Sequence, residues 1–455
     1  MLPPNLALLL WVPVVLYLFR WLPVQRAMII SFIAGFLFLP QYAFSLPFLI
    51  PGGRMAITTY AVVLGSLLFA IEPLKLFRLH WLDLPMLVFC LCPFATSISN
   101  DLGWFDGFKE VMSAAVTWGI PYFLGRIYLG SLEGLRKLAF AILIGGLIYV
   151  PLCLIESFVG PQLHLKIYGI NAFADWSQAR RWGGWRPVVF MSHGLHTGLW
   201  MMGSALISVW FWKLGLLKTL FGMRMKWLSP ILIITFLWVK STGAWLYMIM
   251  GLAVLFTARW FRTSLMLIAL ISAISFYLYL SATGSSTSDQ IVSVVQQTLG
   301  EERAGSIEYR FMNEELLRSK AQEQIIFGWG GSGRSRPRSV EDGSELGVTD
   351  SVWIILLGTK GLVGLISWLT AFLLPLIVFL RCYPAYLWHH PKVAPAAVLV
   401  VIVALFVVDN LLNSPSAPVY LIATGGILGS ALPSSNAKKS TGVNLIVAEK
   451  YLHHQ

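Results

Sequence analysis

Three arginines and two tryptophans lie within segment 179–187, immediately before an apolar stretch of the chain. Guanidinium groups such as those of Arg181 and Arg186 bind phosphate oxygens through paired, charge-assisted hydrogen bonds. Arginine and tryptophan also anchor helices at a membrane surface. The segment therefore predicts either an anion site or an interfacial anchor.

A second basic region lies within the polar insert 282–350. An amphipathic helix is expected over 307–326, with charges of alternating sign at every fourth position from Arg310 onward, a spacing that also suits a solvated, self-neutralising stripe. The glycine-rich segment 328–336, which contains Arg334, follows this helix. Since it lacks the Gly-Lys-Ser/Thr ending of a nucleotide-binding P-loop, we expect a flexible loop or a nest of backbone N–H groups that holds an anion.

Single ionisable residues near the ends of apolar stretches are further candidates. His193 and His196 are three positions apart and are expected to share a helix face, where they line the bundle interior or a site. Lys240 separates two short apolar stretches. Asp350 ends the insert beside Ser351, where an acid is typical of a helix cap, but its position at the mouth of the bundle also suits a chemical role.

Composition predicts the environment of these residues. The 455-residue chain is 57% hydrophobic and 12% charged, and its mean hydropathy is +0.73, so it has too little polar surface to cover a soluble globule of this length. Backbone groups in hydrocarbon must bond internally, and the apolar runs are continuous rather than alternating, so helices are expected to span the bilayer. The sequence predicts an all-α polytopic membrane protein.

The apolar runs are long enough for about 12 to 13 transmembrane helices. They cover residues 5–22, 27–49, 56–71, 81–98, 111–129, 138–158, 188–212, 227–239, 244–258, 264–280, 361–380, 394–408 and 417–432.

Basic residues are distributed unevenly between alternate loops. One set of loops, together with the C-terminal tail, contains 18 of the 33 basic and four of the 21 acidic residues. Because basic residues beside spanning helices are retained in the cytoplasm, loops 159–187 and 282–350 are expected on the opposite side, the periplasm in a bacterium. The net charge of +12 is attributed to topology and anionic lipid rather than to nucleic acid.

The sequence thus divides into four parts. Residues 1–281 form an N-terminal transmembrane bundle that includes loop 159–187, and residues 282–350 form the large periplasmic loop. Residues 351–433 contain the C-terminal transmembrane helices, and residues 434–455 form a cytoplasmic tail.

The order of several motifs between about residues 180 and 380 resembles that of the O-antigen ligase and O-antigen polymerase family of bacterial envelope glycosyltransferases. The motifs are, in chain order, Arg186 before Phe190-Met191-Ser192-His193, then Lys240-Ser241-Thr242-Gly243, Tyr309-Arg310, Ile326-Phe327-Gly328-Trp329-Gly330 and Gly361-Leu362-Val363-Gly364.

This resemblance implies a helical inner-membrane fold of the GT-C type and an inverting glycosyltransferase. Such an enzyme moves an oligosaccharide or repeat unit from undecaprenyl diphosphate to a hydroxyl of another glycan, of lipid A core or of a protein, and it needs no metal, nucleotide or other cofactor. Polysaccharide export or assembly proteins are further expected partners.

The resemblance also implies roles for individual residues. Arg186 and Arg310 would hold the diphosphate, and Lys240, Arg181 and Arg334 would be additional cations around it. Charge-assisted bonds suit this role because they strengthen as negative charge develops on the leaving oxygen.

The chain departs from the family pattern at two positions. The family's arginine in Ser-Arg-Gly is Thr242 here, with the cation displaced to Lys240. The family's histidine base is Asp350 here, and a carboxylate can accept the proton of a sugar hydroxyl. His193, His196 and Tyr309 are expected to line the site.

Two other interpretations remain open from the sequence. A transporter or lipid-linked glycan flippase needs a polar path through the membrane, often with broken helices in paired repeats, and no repeat is visible here. The substitutions at Thr242 and Asp350 are also compatible with an inactive family member that acts as an assembly scaffold.

Overall fold

The fold is taken from a computed structural model of the chain. The structure describes residues 1–43, 52–172, 179–283, 293, 296–297, 301–339, 345–346, 351–414 and 418–432. The C-terminal tail, much of the region between 284 and 300, and Asp350 lie outside the described residues.

Helices dominate the described part of the chain, as the composition predicts. In chain order they are α1 (Pro4–Trp21), α2 (Val24–Phe38), α3 (Arg54–Phe69), α4 (Ile71–Leu76), α5 (Leu84–Ser99), α6 (Trp104–Ala114), α7 (Ile120–Tyr128), α8 (Leu132–Val159), α9 (Leu163–Tyr168), α10 (Gly194–Lys213), α11 (Met225–Trp238), α12 (Thr242–Phe261), α13 (Leu265–Thr283), α14 (Glu301–Gln322), α15 (Val352–Cys382), α16 (Ala394–Asn410) and α17 (Pro418–Ala431).

Short elements complete the connections between the helices. A π-helical turn, Ala115–Gly119, joins α6 to α7, and 3-10 turns lie at Trp81–Asp83 and Ala385–Leu387. Two small antiparallel hairpins pair β1 (Arg180–Arg181) with β2 (Gly184–Trp185), and β3 (Thr219–Leu220) with β4 (Met223–Arg224).

Every predicted apolar run coincides with a helix, with shifts at the ends. In the described part of the chain, six helices are long and apolar enough to cross a membrane. They are Pro4–Trp21, Trp81–Ser99, Leu132–Val159, Thr242–Phe261, Leu265–Thr283 and Val352–Cys382. Five shorter apolar helices accompany them, namely Val24–Phe38, Arg54–Phe69, Met225–Trp238, Ala394–Asn410 and Pro418–Ala431. The chain is therefore an all-α membrane protein.

Helix α16 is the centre of the bundle. Each of its residues except Val408 is buried, and it packs against α8, α10, α12, α13, α15 and α17. Glycines permit the closest helix pair, α7 with α17, because a Cβ on Gly125 would lie 2.6 Å from the Cα of Ile422. Small residues at such positions let helix backbones approach each other in membranes.

Contacts between loops divide into two groups, which define two ends of the bundle. At the first, here called the basic end, Arg126 lies 3.3 Å from Asp83 and Lys137 donates to Gln25 at 2.6 Å. At the second, called the loop end because described parts of loops 159–187 and 282–350 lie there, Leu2 N donates to Ile167 O and Asn100 Nδ2 donates to Gly328 O, both at 2.8 Å. This grouping agrees with the alternate loops that the charge distribution separates.

Several predicted boundaries are wrong, among them the end of run 27–49, whose helix α2 ends at Phe38. The amphipathic helix expected over 307–326 runs over Glu301–Gln322. The span expected from residue 188 begins as a helix at Gly194. The span expected from residue 361 begins at Val352 and is broken at Gly361, where φ is 62° and ψ is −164°.

Candidate functional site

The arginine-rich segment forms a tight hairpin at the loop end. Arg180–Arg181 pairs with Gly184–Trp185, and the two residues between them, Trp182 and Gly183, have φ values of 47° and 69°. Two central residues with positive φ are typical of the turns that join two antiparallel strands directly. The turn projects Trp182, whose residue surface is 55% exposed.

Lys240 contacts this hairpin, which contains Arg181, another of the cations predicted to surround the diphosphate. Its Nζ donates to the carbonyl of Arg181 at 3.1 Å, and a Cβ on Gly184 would collide with the same Nζ. Lys240 adopts a φ of 56°, which is uncommon outside glycine. The short connection between α11 and α12 thus directs this side chain towards the hairpin.

Aromatic rings surround the hairpin cations. The Arg180 guanidinium lies 4.8 Å from the centroid of the Trp185 ring, and the rings of Trp182 and Trp245 have centroids 5.0 Å apart. A cavity of about 310 Å³ is lined by residues 180–185. It combines guanidinium groups with indole faces at the loop end.

Arg186 follows the hairpin and is buried, with 2% of its surface exposed. Its backbone N–H donates to Ala179 O at 2.7 Å. Its side chain crosses the first residue of α10, since a Cβ on Gly194 would lie 2.6 Å from Arg186 Nε. Arg186 is also one of the charged neighbours of His196, together with His193 and Arg54.

The two histidines do not share a helix face. His193 precedes α10 as its cap, and its Nδ1 accepts a hydrogen bond from Leu195 N at 3.1 Å. His196 lies in the first turn of α10, where its Nδ1 is 2.7 Å from Ser192 Oγ. The ring centroids of the histidines are nevertheless 6.4 Å apart, and His196 is close enough to Arg186 to feel its charge.

Arg54 belongs to the same region and was missed from the sequence. Its Nη1 donates to Phe36 O at 2.8 Å and to Phe190 O at 3.0 Å. Tyr149 and Tyr168 on neighbouring elements donate to Leu37 O and Phe38 O. Arg54 therefore fastens the end of α2 to the segment that leads into α10. The sequence signal that could have identified Arg54 is its position as a lone arginine at the start of the apolar run 56–71.

Glu156, near the end of α8, was also missed. It is 1% exposed, and its Oε2 accepts from Val188 N at 2.9 Å and Val189 N at 2.6 Å, while its Oε1 accepts from Leu163 N at 3.0 Å. Successive backbone N–H groups of this kind form an anion-binding nest. The nest at Val188 and Val189 is thus occupied by the protein's own carboxylate.

The glycine-rich segment takes a different role from either one expected. Thr96 Oγ1 donates to Phe327 O at 2.6 Å, and Asn100 Nδ2 donates to Gly328 O at 2.8 Å. Trp329 N and Gly330 N donate to Gly358 O and Thr359 O at 2.8 and 3.0 Å. These N–H groups are satisfied by carbonyls, so at this point the segment is neither a loose loop nor an anion nest.

The partner of this segment is the break in α15. On the far side of Gly361, Leu362 N and Val363 N donate to Ile325 O and Ile326 O at 2.8 and 3.2 Å. A helix interrupted inside a membrane must bond the groups that the break exposes. Segment 325–330 supplies those bonds, and glycine is required because a Cβ on Gly361 would collide with Ile326 O.

Arg334 lies at this second location rather than at the hairpin. Its Nη2 is 3.2 Å from Asp106 Oδ2, and its Nε donates to Trp329 O at 3.2 Å. Among the described residues, no contact joins Arg334 to the cluster formed by Arg181, Arg186 and Lys240. Of the five predicted cations, Arg181, Arg186 and Lys240 lie in or next to the hairpin and Arg334 lies beside α6, while the side chain of Arg310 lies outside the described part.

The remaining predicted residues lie on α14 or next to α15. Tyr309 is on α14 and is 54% exposed. Arg310 is in the same helix, but its side chain lies outside the described part, as does the whole of Asp350. One turn after Arg310, Glu314 Oε1 accepts from Ser351 Oγ at 3.1 Å and Trp353 Nε1 at 3.2 Å. Arg310 therefore lies one helical turn before Glu314, and Glu314 binds Ser351, the residue that follows Asp350.

In the expected ladder of charges along α14, the step from Arg310 to Glu314 lies outside the described residues, and the step from Glu314 to Arg318 is not formed. Arg318 pairs with Glu315 rather than with Glu314, because Glu314 is turned towards α15. Among the described residues, no group of three or more His, Cys, Asp or Glu side chains could hold a metal ion. Searches against models of protein families and against curated protein sequences found no match for this chain.

Proposed function

We propose that the protein is an inverting glycosyltransferase of the bacterial inner membrane, which transfers an oligosaccharide or repeat unit from undecaprenyl diphosphate to an acceptor hydroxyl. Its product would be a surface polysaccharide or an O-antigen-type conjugate. The site would face the periplasm, where the carrier lipid presents its diphosphate at the membrane surface. The order of motifs between residues 180 and 380 is the basis of this proposal.

The observation that carries the proposal is the convergence of Arg181, Arg186 and Lys240 at the loop end. Lys240 Nζ reaches the carbonyl of Arg181 in the hairpin that lines the aromatic cavity, and Arg186 follows this hairpin with its side chain against the first residue of α10. Among the described residues, no ion pair engages Arg180, Arg181 or Lys240 with a carboxylate. Such a site suits the two phosphates of a lipid carrier.

In the proposed reaction, Asp350 accepts the proton of the acceptor hydroxyl as its oxygen attacks the anomeric carbon of the donor sugar. The bond between that carbon and the phosphate oxygen breaks, and undecaprenyl diphosphate leaves with the bonding electrons. Arg186 and Arg310 stabilise the charge that develops on the leaving oxygen. Attack from the face opposite the leaving group inverts the anomeric configuration.

The broken helix α15 favours a transporter as the second candidate, because discontinuous spanning helices are common at transport sites. In such sites the exposed helix ends face the ligand or coupling ion. Here Gly358 O, Thr359 O, Leu362 N and Val363 N are bonded to segment 325–330 instead. The break therefore supports docking of the loop more than it supports ion binding.

Transfer of glycan by the purified protein tests the proposal directly. In nanodiscs that contain a defined undecaprenyl diphosphate oligosaccharide and glycan or lipid A core acceptors, the wild type should form product. Asp350→Asn, Arg310→Ala and Arg186→Met should each lower the rate roughly 100-fold or more, because each removes a proton acceptor or a charge-stabilising donor.

Matched controls separate these effects from general loss of charge. Arg136→Ala, at an exposed arginine of the basic end, and Asp101→Asn, at an exposed acid of the loop end, should transfer at the wild-type rate. Full activity of Asp350→Asn would rule out this base, and full activity of all three site variants would rule out the site. An inactive wild type that moves the lipid-linked glycan across the bilayer would identify a flippase, and one with neither activity would favour a scaffold.

A further inference from the structure

A second pocket, of about 120 Å³, lies between α5, α6, the glycine-rich segment and the break in α15. Asp106, which lines the pocket, pairs with Arg334, and these side chains are 30% and 31% exposed. Lys360, another lining residue, has its Nζ 4.3 Å from the centroid of the Phe89 ring. On α5 the lining reaches back to Pro93, six residues before Ser99, the last residue of the helix, or about 9 Å along it.

Glu110 and Lys360 both line this pocket, and the Lys360 ammonium also faces the Phe89 ring. Among the described residues, neither the carboxylate of Glu110 nor the ammonium of Lys360 makes a hydrogen bond or an ion pair, although each lies close enough to act on the other's charge. Ionisable residues inside apolar helices are rare and mark sites where a polar ligand is bound. The space between these two groups therefore suits a ligand with both donors and acceptors.

The balance of charge indicates a neutral ligand. The Lys360 cation faces the Glu110 anion, and the Arg334 cation is paired with Asp106. A phosphate would be repelled by Glu110. A polyhydroxyl ring, by contrast, donates to the carboxylate and accepts from the ammonium through different hydroxyls.

Shape agrees with this choice of ligand. The volume of about 120 Å³ equals the liquid volume of roughly four water molecules, which accommodates the hydroxyl-bearing edge of one sugar ring. Gly331 keeps the space open, since a Cβ at this position would lie 3.1 Å from Glu110 Oε1. Thr96 and Thr359 add hydroxyl groups to the wall.

We propose that this pocket binds a single sugar ring of a glycan, with Glu110 accepting from its hydroxyls and Lys360 donating to its oxygens. The pocket stands apart from the hairpin cluster in all described contacts, so it would hold a ring remote from the diphosphate. The identification of the ligand as a glycan rests on the proposed function, whereas the geometry of the pocket does not.

Binding of simple glycosides to the full-length protein in nanodiscs tests the proposal. The methyl glycosides of glucose, galactose, mannose and N-acetylglucosamine are offered one at a time, and binding is measured by saturation-transfer-difference NMR. At least one should bind to the wild type. Glu110→Gln, which keeps the size of the side chain, and Gly331→Ala, which fills the pocket, should each weaken that binding at least tenfold.

Two matched variants control for the chemistry of the substitutions. Glu133→Gln changes an exposed glutamate at the basic end, and Gly305→Ala adds a Cβ that meets no atom within 4 Å. Both should bind the glycoside as the wild type does. Binding by none of the four glycosides, or equal binding by the Glu110 and Gly331 variants and the wild type, would overturn the proposal.

The glycoside measurement also separates this site from the proposed reaction. Arg186→Met should lose glycan transfer and keep glycoside binding, since Arg186 belongs to the hairpin region. If neither the wild type nor any variant transfers glycan but glycoside binding still depends on Glu110, the proposed function is wrong and the sugar pocket stands. If transfer depends on Arg186 while no glycoside binds, the proposed function stands and the pocket assignment is wrong.

Discussion

Glu156 and Val189 illustrate how one buried contact accounts for local strain. Val189 has a φ of 58°, which is an outlier for a β-branched residue and costs about 1–3 kcal/mol. The conformation turns the N–H groups of Val188 and Val189 towards the Glu156 carboxylate. Hydrogen bonds to a charged group are each worth about 1.5–3 kcal/mol, enough to offset the strain and fix the approach to α10.

His164 is a second residue whose environment has a measurable consequence. Its Nε2 accepts from Gln41 N at 2.9 Å, so its Nδ1 carries the proton and donates to Ile170 O at 2.8 Å. Burial lowers the pKa of His164 below the usual 6.5, the bond to Ile170 raises it, and nearby Arg54 lowers it. The folded protein therefore holds this imidazole neutral.

Acidification should destabilise the loop end through His164. Because the folded pKa is depressed, its contribution to stability is complete above about pH 6.5, the unfolded value, and is lost as pH falls through the folded value. The thermal midpoint of the wild type should fall between pH 7.5 and 5.5 by more than that of His164→Gln. The same pH dependence in both proteins would contradict this assignment.

The break in α15 is the main feature at the scale of elements. Gly361 has backbone angles that only glycine adopts readily, and its lack of a Cβ lets Ile326 approach. The hydrogen bonds of segment 325–330 to both halves of α15 make the glycine-rich motif part of the helix packing. Packing thus explains these glycines better than flexibility does.

Glycine-to-alanine substitutions should have opposite effects at two positions. Gly361→Ala should lower the free energy of unfolding by about 3 kcal/mol, because the new Cβ is strained by the positive φ and collides with Ile326 O. Gly305→Ala, in open space on α14, should raise it by up to about 1 kcal/mol through helix propensity. Thermal unfolding of the two variants measures the difference, and equal midpoints would argue against the docked break.

At the scale of the whole molecule, the two ends of the bundle differ in structure as well as in charge. The basic end is joined by short connections, such as β3–β4 and the 3-10 turn at Ala385–Leu387. The loop end contains the hairpin, α9, α14 and the pocket beside Glu110. Polar groups that could bind a ligand are concentrated at this end, which suits chemistry at one membrane surface.

Labelling of single cysteines should confirm which end faces outward. In a variant without Cys90, Cys92, Cys153 and Cys382, Lys166→Cys at the loop end should react with an impermeant maleimide on intact spheroplasts. Glu133→Cys at the basic end should react only after permeabilisation, because basic loops are retained inside. The reverse pattern would place the hairpin and the second pocket in the cytoplasm.

The sequence by itself determined the class of protein, the positions of its apolar helices and the separation of its loops into two sets. These properties are local, because about 20 consecutive apolar residues are enough to identify a span and charge is counted loop by loop. Lys240 and the arginine-rich segment could be proposed as neighbours only through a family resemblance, and the structure places Lys240 Nζ against the carbonyl of Arg181.

Only the tertiary structure decided the contacts between distant stretches of chain. Glu110 and Lys360 are 250 positions apart, and Glu156 meets Val188 across the loop that contains α9. Hydropathy cannot predict which distant residues contact each other. An acid in an apolar run contributes the same hydropathy whether its partner is a backbone nest, a lysine or lipid. Helix packing around α16 selects the partner, and that selection turned the glycine-rich motif from an expected loop into the support of a broken helix.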